Sequence, residues 1–323
     1  MPDIAHEETD ELLDKLIEEI YGIYEQAAYE MKIKAETYLG WFRDMDKKMR
    51  DKLKNGEITD DVYKQWRMSH MLTADKFLDM ADILAKDMNR TNEIAANIIN
   101  GYLPEVYAIN HNYATYQIEK QTQIDTSYSL YDHQTVERLI KDKKSGNEKQ
   151  LLVPWKAVVK YPEAQRWNMQ AVNSVAVQGI LQGETIPEIA KRIGQNLPTK
   201  GYKAAVRDAR TMVTAAENAG RIDAYDRAQE MGIRLKKQWM ATLDNRTRHS
   251  HRLLDGETRD VDDTFSNGCE YPGDPKGDPA EVYNCRCCLI SQIESFEIEQ
   301  AKSSPQLAEQ DYEEWKHEHE VEK

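Results

Sequence analysis

The chain has 323 residues, of which 40% are hydrophobic and 31% are charged, and its formal net charge is −14. A chain of this length can bury one large core or two ordinary ones. It contains no run of 18 or more apolar residues, which excludes a membrane span. Met1-Pro2-Asp3 precedes a string of acids and lacks the parts of a secretory signal. We therefore expect a globular protein that stays where it is made unless a larger assembly carries it.

The charge is unevenly distributed along the chain. Residues Lys191 to Arg252 hold 14 Lys and Arg against 6 Asp and Glu, whereas Ser291 to Lys323 hold 10 acids against 3 bases. The negative total argues against a protein that coats DNA, because affinity for phosphate grows with the number of cations presented. The basic middle is either a solvated face or a local contact for phosphate, and the acidic tail is expected to be partly disordered.

Amphipathic spacing predicts long helices in the first 130 residues. Apolar residues from Leu12 to Ala27 recur every three or four positions, Asn55-Gly56 interrupts the pattern, and Thr59 is suited to cap a second helix. A further stretch begins at Ala74, and Gly101 with Pro104 is predicted to close it before another helix over Glu105 to Ile118.

The middle of the chain is also predicted to be helical. A helix is expected over Glu163 to Leu181, followed by a short one that Thr185 caps and that ends near Leu197-Pro198. An alanine-rich helix follows over Tyr202 to Met231, with Gly232 as its stop signal.

The style of the sequence changes after Gly232. Ile233, Leu235, Trp239, Val261 and Phe265 sit among short polar breaks, as in small strands, and a turn is predicted at Leu254-Asp255-Gly256-Glu257. A long loop covers Ser266 to Pro279 and leads to Asn284-Cys285-Arg286-Cys287-Cys288.

The predicted fold class is therefore α+β and mainly α, with a long-helix N-terminal region before a small α+β module that contains a long loop. We place the boundaries at 1–145 for the helical region, 146–290 for the C-terminal module and 291–323 for the acidic tail. The polar run Lys141 to Gln150 marks the first junction.

An ordered series of motifs in this module is specific, although none of them is diagnostic alone. The series consists of Arg210-Thr211, Trp239 to Arg248, His251, Leu254-Asp255-Gly256, Phe265, Tyr271-Pro272-Gly273-Asp274-Pro275 and Asn284-Cys285-Arg286-Cys287. It resembles the head-morphogenesis domain of the Mu F-like family of phage minor head proteins, and the resemblance covers roughly Ile180 to Ile290.

The resemblance implies a non-enzymatic minor capsid protein of a tailed phage. Such a protein binds the portal protein inside the procapsid, meets the major capsid or scaffolding protein, and contacts double-stranded DNA weakly and without sequence preference. It would be made in the host cytoplasm and end inside the virion head, where it affects genome retention or ejection. We expect the helical region 1–145 to dock on the partner.

The cysteines and His251 suggest a metal site. All four cysteines lie in the last quarter of the chain, and without an export signal a disulfide framework is not expected. His251, Cys285 and Cys287, with Asp244 or Cys269, could supply four ligands to zinc, although Cys-x-Cys is not the usual spacing. A structural zinc ion is the one cofactor candidate; the alternative is reduced, buried thiols beside a hydrogen-bonded histidine.

The same residues allow a catalytic interpretation. Asp244, Arg246, Arg248, His249 and His251 could serve a zinc-dependent nuclease or hydrolase. Against this, the sequence shows no second carboxylate cluster and no nucleophile paired with a base, so a structural network is the stronger expectation.

Cationic side chains predict a surface for nucleic acid or for a partner. On a helix, Arg207, Arg210 and Arg221 would share one stripe that binds phosphate without reading sequence. A DNA-end-binding protein without portal contact is a further alternative. The complete set is Lys200, Lys203, Arg207, Arg210, Arg221, Arg246 and Arg248.

Overall fold

The computed structural model describes residues 3–141, 159–160, 163–296 and 302–321. The fold is α+β and mainly α, as the sequence predicts. Among the described helices, none has the length and apolarity that crossing a membrane requires. The helices are α1 (Ile4–Lys54), α2 (Asp60–Met71), α3 (Asp75–Thr122), α4 (His133–Lys141), α5 (Glu163–Leu181), α6 (Ile186–Glu230), α7 (His249–Leu254), α8 (Pro279–Val282) and α9 (Tyr312–Val321). The strands are β1 (Ile124–Asp125), β2 (Ile233–Met240), β3 (Thr258–Asp260), β4 (Cys288–Phe296) and β5 (Lys302–Ser303).

The chain divides into two compact units, each assembled from separate segments. The first unit contains residues 3–16, 99–141, 207–296 and 302–321 of the described chain, and the second contains 17–98, 159–160 and 163–206. Helices α1, α3 and α6 each contribute residues to both units. The boundary expected within Lys141 to Gln150 falls almost entirely outside the described residues.

The second unit is helical, and its helices bury regular apolar stripes. On α1 the buried residues follow each other every three or four positions, which places them on one helix face. The Tyr24 hydroxyl donates to Asn92 Oδ1 on α3 at 2.7 Å, and a Cβ at Gly194 of α6 would lie 2.8 Å from the backbone nitrogen of Lys32. The stripe of α1 within this unit consists of Ile20, Tyr24, Ala27, Met31, Ala35, Leu39 and Phe42.

Two predicted helix ends are wrong because each helix continues through its proline. Pro104 lies inside α3 and Pro198 lies inside α6. A proline removes one helical hydrogen bond and crowds the preceding turn, so the sequence alone favours a break. Here the buried stripe continues across the proline, with Leu103 and Val106 on α3 and Leu197 on α6. Tertiary packing of that face outweighs the local penalty.

The other local signals are confirmed. Helix α1 ends at Lys54, before Asn55-Gly56, and the Thr59 hydroxyl accepts the backbone N–H of Val62 at the start of α2. Glu188 accepts both the backbone N–H and the hydroxyl of Thr185 at the start of α6, at 2.6 and 2.7 Å. Gly232 follows α6 with a φ of 95°, which a residue with a side chain rarely adopts.

The first unit contains a three-stranded antiparallel sheet in the order β3-β2-β4. Strand β2 pairs along its whole length with β4, from Ile233 opposite Phe296 to Met240 opposite Cys288. The strand predicted around Val261 and Phe265 is not formed. Both side chains are buried in the loop that follows β3, where they fill the core without strand pairing.

The long loop of the first unit is fixed by buried polar groups. Lys237 of β2 is fully buried, and its Nζ donates to the carbonyls of Val261 and Glu270 at 2.7 Å each. The carboxylate of Asp274 accepts the backbone N–H groups of Glu270 and Lys276, both at 2.8 Å. These contacts fix the loop to β2 and stabilise its turn at Asp274.

Part of the predicted acidic tail is folded. Residues 302–321 form β5, one turn of 3₁₀ helix at Pro305–Ala308, and α9, whose Tyr312 and Trp315 are buried. Its two aromatic side chains pack on Tyr113 and Tyr116 of α3. Residues 297–301 and 322–323 of the predicted tail lie outside the described residues, so its partial disorder stays a prediction.

Candidate metal centre

Three predicted ligand residues converge in the first unit. The Sγ atoms of Cys285 and Cys287 lie 3.7 and 3.4 Å from the same atom, Nδ1 of His251. The three potential ligand atoms lie within 4.8 Å of one another, and none of the three residues is more than 2% exposed. The structure thus places two thiols and one imidazole nitrogen around a common point.

Polar residues of α6 hold the backbone of the two cysteines. The Thr214 hydroxyl donates to the carbonyl of Cys285 at 2.7 Å, and Nδ2 of Asn218 donates to the carbonyl of Cys287 at 3.2 Å. The hydroxyl of Thr211 accepts the backbone N–H of Asn284 at 3.1 Å. The roles of Thr214 and Asn218 were not predicted, although their helical spacing from Thr211 places all three polar side chains near one face of an alanine-rich helix.

The backbone conformation of residues 284–287 places both thiols on the same side of the chain. Asn284 has a φ of 55°, a left-handed conformation that asparagine tolerates better than most residues. The chain then passes Cys285, Arg286 and Cys287 without regular structure before β4 begins at Cys288. The sequence predicts that Cys285 and Cys287 share a side, and this is confirmed, although they precede the strand rather than lying in it.

Hydrogen bonding at the two sulfur atoms favours a thiolate at Cys287. The backbone N–H of Cys287 donates to Cys285 Sγ at 3.5 Å. A hydrogen bond from the Cys285 thiol lowers the pKa of Cys287 against the effect of burial. The same contact raises the pKa of Cys285 well above its ordinary value.

Glu281 of α8 lies on the opposite side of the His251 ring. Its Oε2 is 3.1 Å from Nε2 of His251, although the angle at this contact is outside that of a hydrogen bond. A carboxylate in this position favours a proton on Nε2, which leaves the lone pair of Nδ1 directed at the two sulfur atoms. Glu281 carries no sequence signal that distinguishes it from other acids of the loop.

The two alternative fourth ligands do not join the cluster. Asp244 accepts two hydrogen bonds from Arg286, at 2.7 and 2.8 Å, and these lower the pKa of its carboxyl group. Cys269 Sγ lies against Gly277 within the long loop. The prediction that Asp244 or Cys269 completes the site is therefore wrong for this structure: an arginine 42 positions away binds Asp244, and burial raises the pKa of Cys269 to about 12.

Two of the predicted cationic residues on the C-terminal side of α6 have very different environments. Arg207 is exposed, pairs with Asp208 at 2.7 Å, and its guanidinium lies 4.9 Å from the centre of the Tyr283 ring. Arg221 has only 3% of its side chain exposed, so its inclusion in a binding stripe is wrong. Lys200, Lys203 and Arg246 are exposed, Arg210 is half-buried, and Arg248 donates to the carbonyl of Tyr283.

Arg221 is the centre of a buried ionic network. It binds both carboxylate oxygens of Asp3, at 2.5 and 3.0 Å, and Oε1 of Glu217 at 3.2 Å. The same Glu217 oxygen lies 2.8 Å from Nδ1 of His6. His6, Glu217 and Cys288 form a second group with ligand-like spacing, but the neighbouring guanidinium disfavours a metal cation there.

The His6–Glu217 contact makes stability depend on pH. The charge of Glu217 raises the pKa of His6 to about 9, against the effect of burial. Because the folded pKa lies above the unfolded value, protonated His6 stabilises the fold fully below about pH 6.5. We expect this contribution, about 3 kcal/mol, to disappear as the pH rises to 9.

Urea unfolding of the wild type and His6→Gln at pH 6 and pH 9.5 tests this expectation. The wild type should lose its advantage over the variant at the higher pH. Burial lowers the pKa of Lys237 to about 8, but Lys237 titrates in both proteins and cancels in the difference. An equal advantage of the wild type at both pH values would contradict the assignment.

Comparison with known proteins matches the segment that contains the His251, Cys285 and Cys287 cluster. Residues 170–290 match the family model described as Phage Mu protein F like protein. The chain is 27% identical to minor head protein GP7 of Bacillus phage SPP1 over 251 residues, which cover 75% of this chain and 73% of that protein. A search of solved structures finds no match.

Two further relatives are matched over a smaller part of their own length. One is named NAD(+)–arginine ADP-ribosyltransferase EFV, from Enterococcus faecalis, and is 27% identical over 252 residues, or 76% of this chain and 50% of the relative. The other is the uncharacterised protein YqbB of Bacillus subtilis, 31% identical over 133 residues, or 39% of this chain and 42% of that protein. The chain thus spans about half the length of the enterococcal relative. The segment 170–290, which holds the His251, Cys285 and Cys287 cluster, belongs to the phage Mu protein F-like family.

Proposed function

We propose that this chain is a minor head protein of a tailed bacteriophage, with a role in head morphogenesis. It binds the portal inside the procapsid, meets the major capsid or scaffolding protein, and contacts packaged double-stranded DNA. Its place is the host cytoplasm during assembly and then the interior of the virion head. The observation that carries the proposal is the family match over 170–290, together with similarity to a minor head protein across 73% of that relative.

The proposed role is non-enzymatic. The enterococcal relative is named as a transferase, yet a similar share of this chain matches a relative named as a head protein, 76% against 75%. The regions of this chain that match the two relatives must overlap over at least half of the chain. Similarity within that shared region therefore does not by itself indicate a transferase. We expect purified full-length protein to release no nicotinamide from NAD⁺ when an arginine-containing acceptor is present. Release above the blank would contradict a purely structural role.

The nuclease or hydrolase alternative has weak support from the site. His251, Cys285 and Cys287 are each at most 2% exposed, so a nucleic-acid backbone does not reach them in this conformation. Asp244, the carboxylate assigned to that chemistry, is bound by Arg286. A site of this kind is better suited to holding the module together than to turning over a polymer.

The helical region offers a surface for the portal. Tyr29 and Ile33 are 62% and 43% exposed and stand four positions apart on α1, which places them on one face. Isolated exposed apolar residues are common on protein surfaces, but an aromatic and an aliphatic side chain on one helix face are typical anchors for a partner.

Co-purification of the full chain with the portal oligomer of the same phage tests the role. We expect stable co-elution by the wild type and at least about tenfold weaker binding by the Tyr29→Ala/Ile33→Ala variant. The matched control is Leu243→Ala/Leu253→Ala, which removes two exposed side chains from the Mu F-like segment. If portal binding is lost only with Leu243→Ala/Leu253→Ala, the docking surface lies on the Mu F-like segment and not on α1. No association by the wild type at moderate salt would remove the portal role.

Contact with DNA is proposed to be weak and governed by charge. Lys200 and Lys203 are exposed on α6, whereas Arg221 is unavailable and Arg207 already has an acidic partner. Binding to double-stranded DNA should fall steeply with salt, and Lys200→Ala/Lys203→Ala should reduce the salt slope by about two. An unchanged slope would show that these lysines do not contact phosphate.

A further inference from the structure

The positions of the His251, Cys285 and Cys287 ligand atoms fit a tetrahedral zinc ion. Zinc lies about 2.3 Å from a thiolate and about 2.0 Å from an imidazole nitrogen, so a tetrahedral angle separates sulfur and nitrogen by roughly 3.5 Å. The observed distances from Nδ1 of His251 are 3.4 Å to Cys287 Sγ and 3.7 Å to Cys285 Sγ. These distances bracket the tetrahedral value, although either one alone would suit a thiol–imidazole contact.

The charges also match. Two thiolates neutralise one divalent cation, which makes the site neutral and compatible with burial of all three residues. The backbone N–H of Cys287 donates to Cys285 Sγ at 3.5 Å, a contact that also suits a thiolate held by the ion. The soft thiolate and imidazole donors favour zinc over magnesium or calcium, which prefer oxygen ligands.

The surroundings orient the ligands from outside. Glu281 Oε2 lies 3.1 Å from Nε2 of His251, and its charge favours a proton on Nε2, which leaves Nδ1 available to a metal ion. Thr214 and Asn218 hold the carbonyls of the two cysteines, so the sulfur positions do not depend on the ion alone. These two hydrogen bonds fix the backbone from which both thiols project.

We propose that His251 Nδ1, Cys285 Sγ and Cys287 Sγ bind one Zn²⁺ ion, with a water molecule as the fourth ligand. Among the described residues no fourth protein ligand is in place, since Asp244 binds Arg286 and Cys269 lies in the long loop beside Gly277. The ion joins α7 to the segment before β4 and stabilises the Mu F-like module. The zinc proposal does not depend on the proposed portal binding, so a negative result for one leaves the other unaffected.

Metal analysis of tag-free, reduced full-length protein tests the site. We expect about one zinc per chain, and X-ray absorption should show two sulfur neighbours at about 2.3 Å and two nitrogen or oxygen neighbours at about 2.0 Å. Less than about 0.1 zinc per chain, with no uptake of added zinc by the reduced protein, would overturn the proposal. This measurement needs no variant and is unaffected by a folding defect.

Variants then assign the ligands. Cys285→Ser and Cys287→Ser should each lose zinc during dialysis against a chelator that the wild type withstands. The matched controls are Cys269→Ser and Cys288→Ser, which alter the two other buried cysteines and should keep the wild-type zinc content. Glu281→Gln should weaken zinc binding by about 10- to 100-fold without abolishing it. Zinc retained by both ligand variants, or lost equally from both controls, would contradict the assignment.

Discussion

Arg221→Met is expected to lower the free energy of unfolding by about 3–5 kcal/mol, the cost of breaking a buried ionic network from one side. The guanidinium binds Asp3, Glu217, the side chain of Asn110 and the carbonyl of Leu289, at distances between 2.5 and 3.2 Å. Methionine fills much of the volume but leaves the two carboxylates without their main partner.

The size of this effect follows from the environment of the charges. Burial opposes ionisation of Arg221, but the carboxylate of Asp3, Glu217 and neighbouring groups raise the pKa of the guanidinium well above its ordinary value. The pKa of Asp3 is lowered by the same pairing, although burial acts against it. Both charged forms therefore persist in the folded protein, and each depends on the other.

Urea unfolding compares Arg221→Met with Arg207→Ala as a matched control on the same helix. Arg207 is exposed, so its replacement should cost less than about 1 kcal/mol. The triple variant Asp3→Asn/Glu217→Gln/Arg221→Met should recover much of the loss, since it leaves no uncompensated buried charge. A cost below about 1 kcal/mol for Arg221→Met would show that the network adds little to stability.

This network also shows what the sequence could not predict. Arg221 falls on a cationic stripe when α6 is drawn as an isolated helix, which suggests a surface for phosphate. Its partner Asp3 is 218 positions away, and no pattern within α6 reveals that pairing. Helical periodicity locates a side chain around the helix axis, but only the fold decides whether that face is solvent or core.

The helices themselves were predictable where one face is continuously apolar. The bounds of α5 and the capping residues Thr59 and Thr185 follow from local rules, because capping depends on neighbours within four positions. The helix ends predicted at the two prolines were wrong because local rules do not include tertiary packing. Pro104 and Pro198 are unfavourable locally, and the packing that compensates for them is tertiary.

The candidate metal centre was predicted in part. The Cys-x-Cys spacing and His251 suggested the three residues that converge, because these residue types have few other reasons to cluster. Asp244 was a reasonable fourth ligand by residue type, but its carboxylate is paired with the guanidinium of Arg286. Glu281, Thr214 and Asn218 support the site through contacts that residue type alone does not specify.

Trp315→Ala is expected to lower the free energy of unfolding by about 3–5 kcal/mol, although Trp315 lies in what the sequence suggests is an acidic tail. Its side chain is fully buried, and its ring lies within 6.0 Å of the rings of Tyr116, Tyr128 and Tyr312, centre to centre. Removing the indole leaves a cavity among these tyrosines and unpairs a buried polar group.

That polar group is Glu119 of α3. Nε1 of Trp315 donates to Oε2 of Glu119 at 2.7 Å, while Oε1 accepts the backbone N–H of Thr126 at 2.9 Å. Glu119 is 1% exposed, so its carboxylate relies on these donors. Trp315→Phe keeps most of the ring contacts and removes only the donor, and its expected cost is about 1–3 kcal/mol.

The two substitutions together separate packing from hydrogen bonding. In Glu119→Gln the amide accepts the indole N–H as a neutral partner, so Trp315→Phe should cost less in that background than in the wild type, as a double-mutant cycle would measure. His317→Ala, an exposed change on the same helix, should have no measurable effect. If α9 is only loosely attached to the rest of the first unit, Trp315→Ala will leave the global midpoint unchanged and only expose residues 302–321 to limited proteolysis. A shifted midpoint would instead show that α9 unfolds together with the tyrosine cluster beneath it, and hence that this segment is part of the cooperative core.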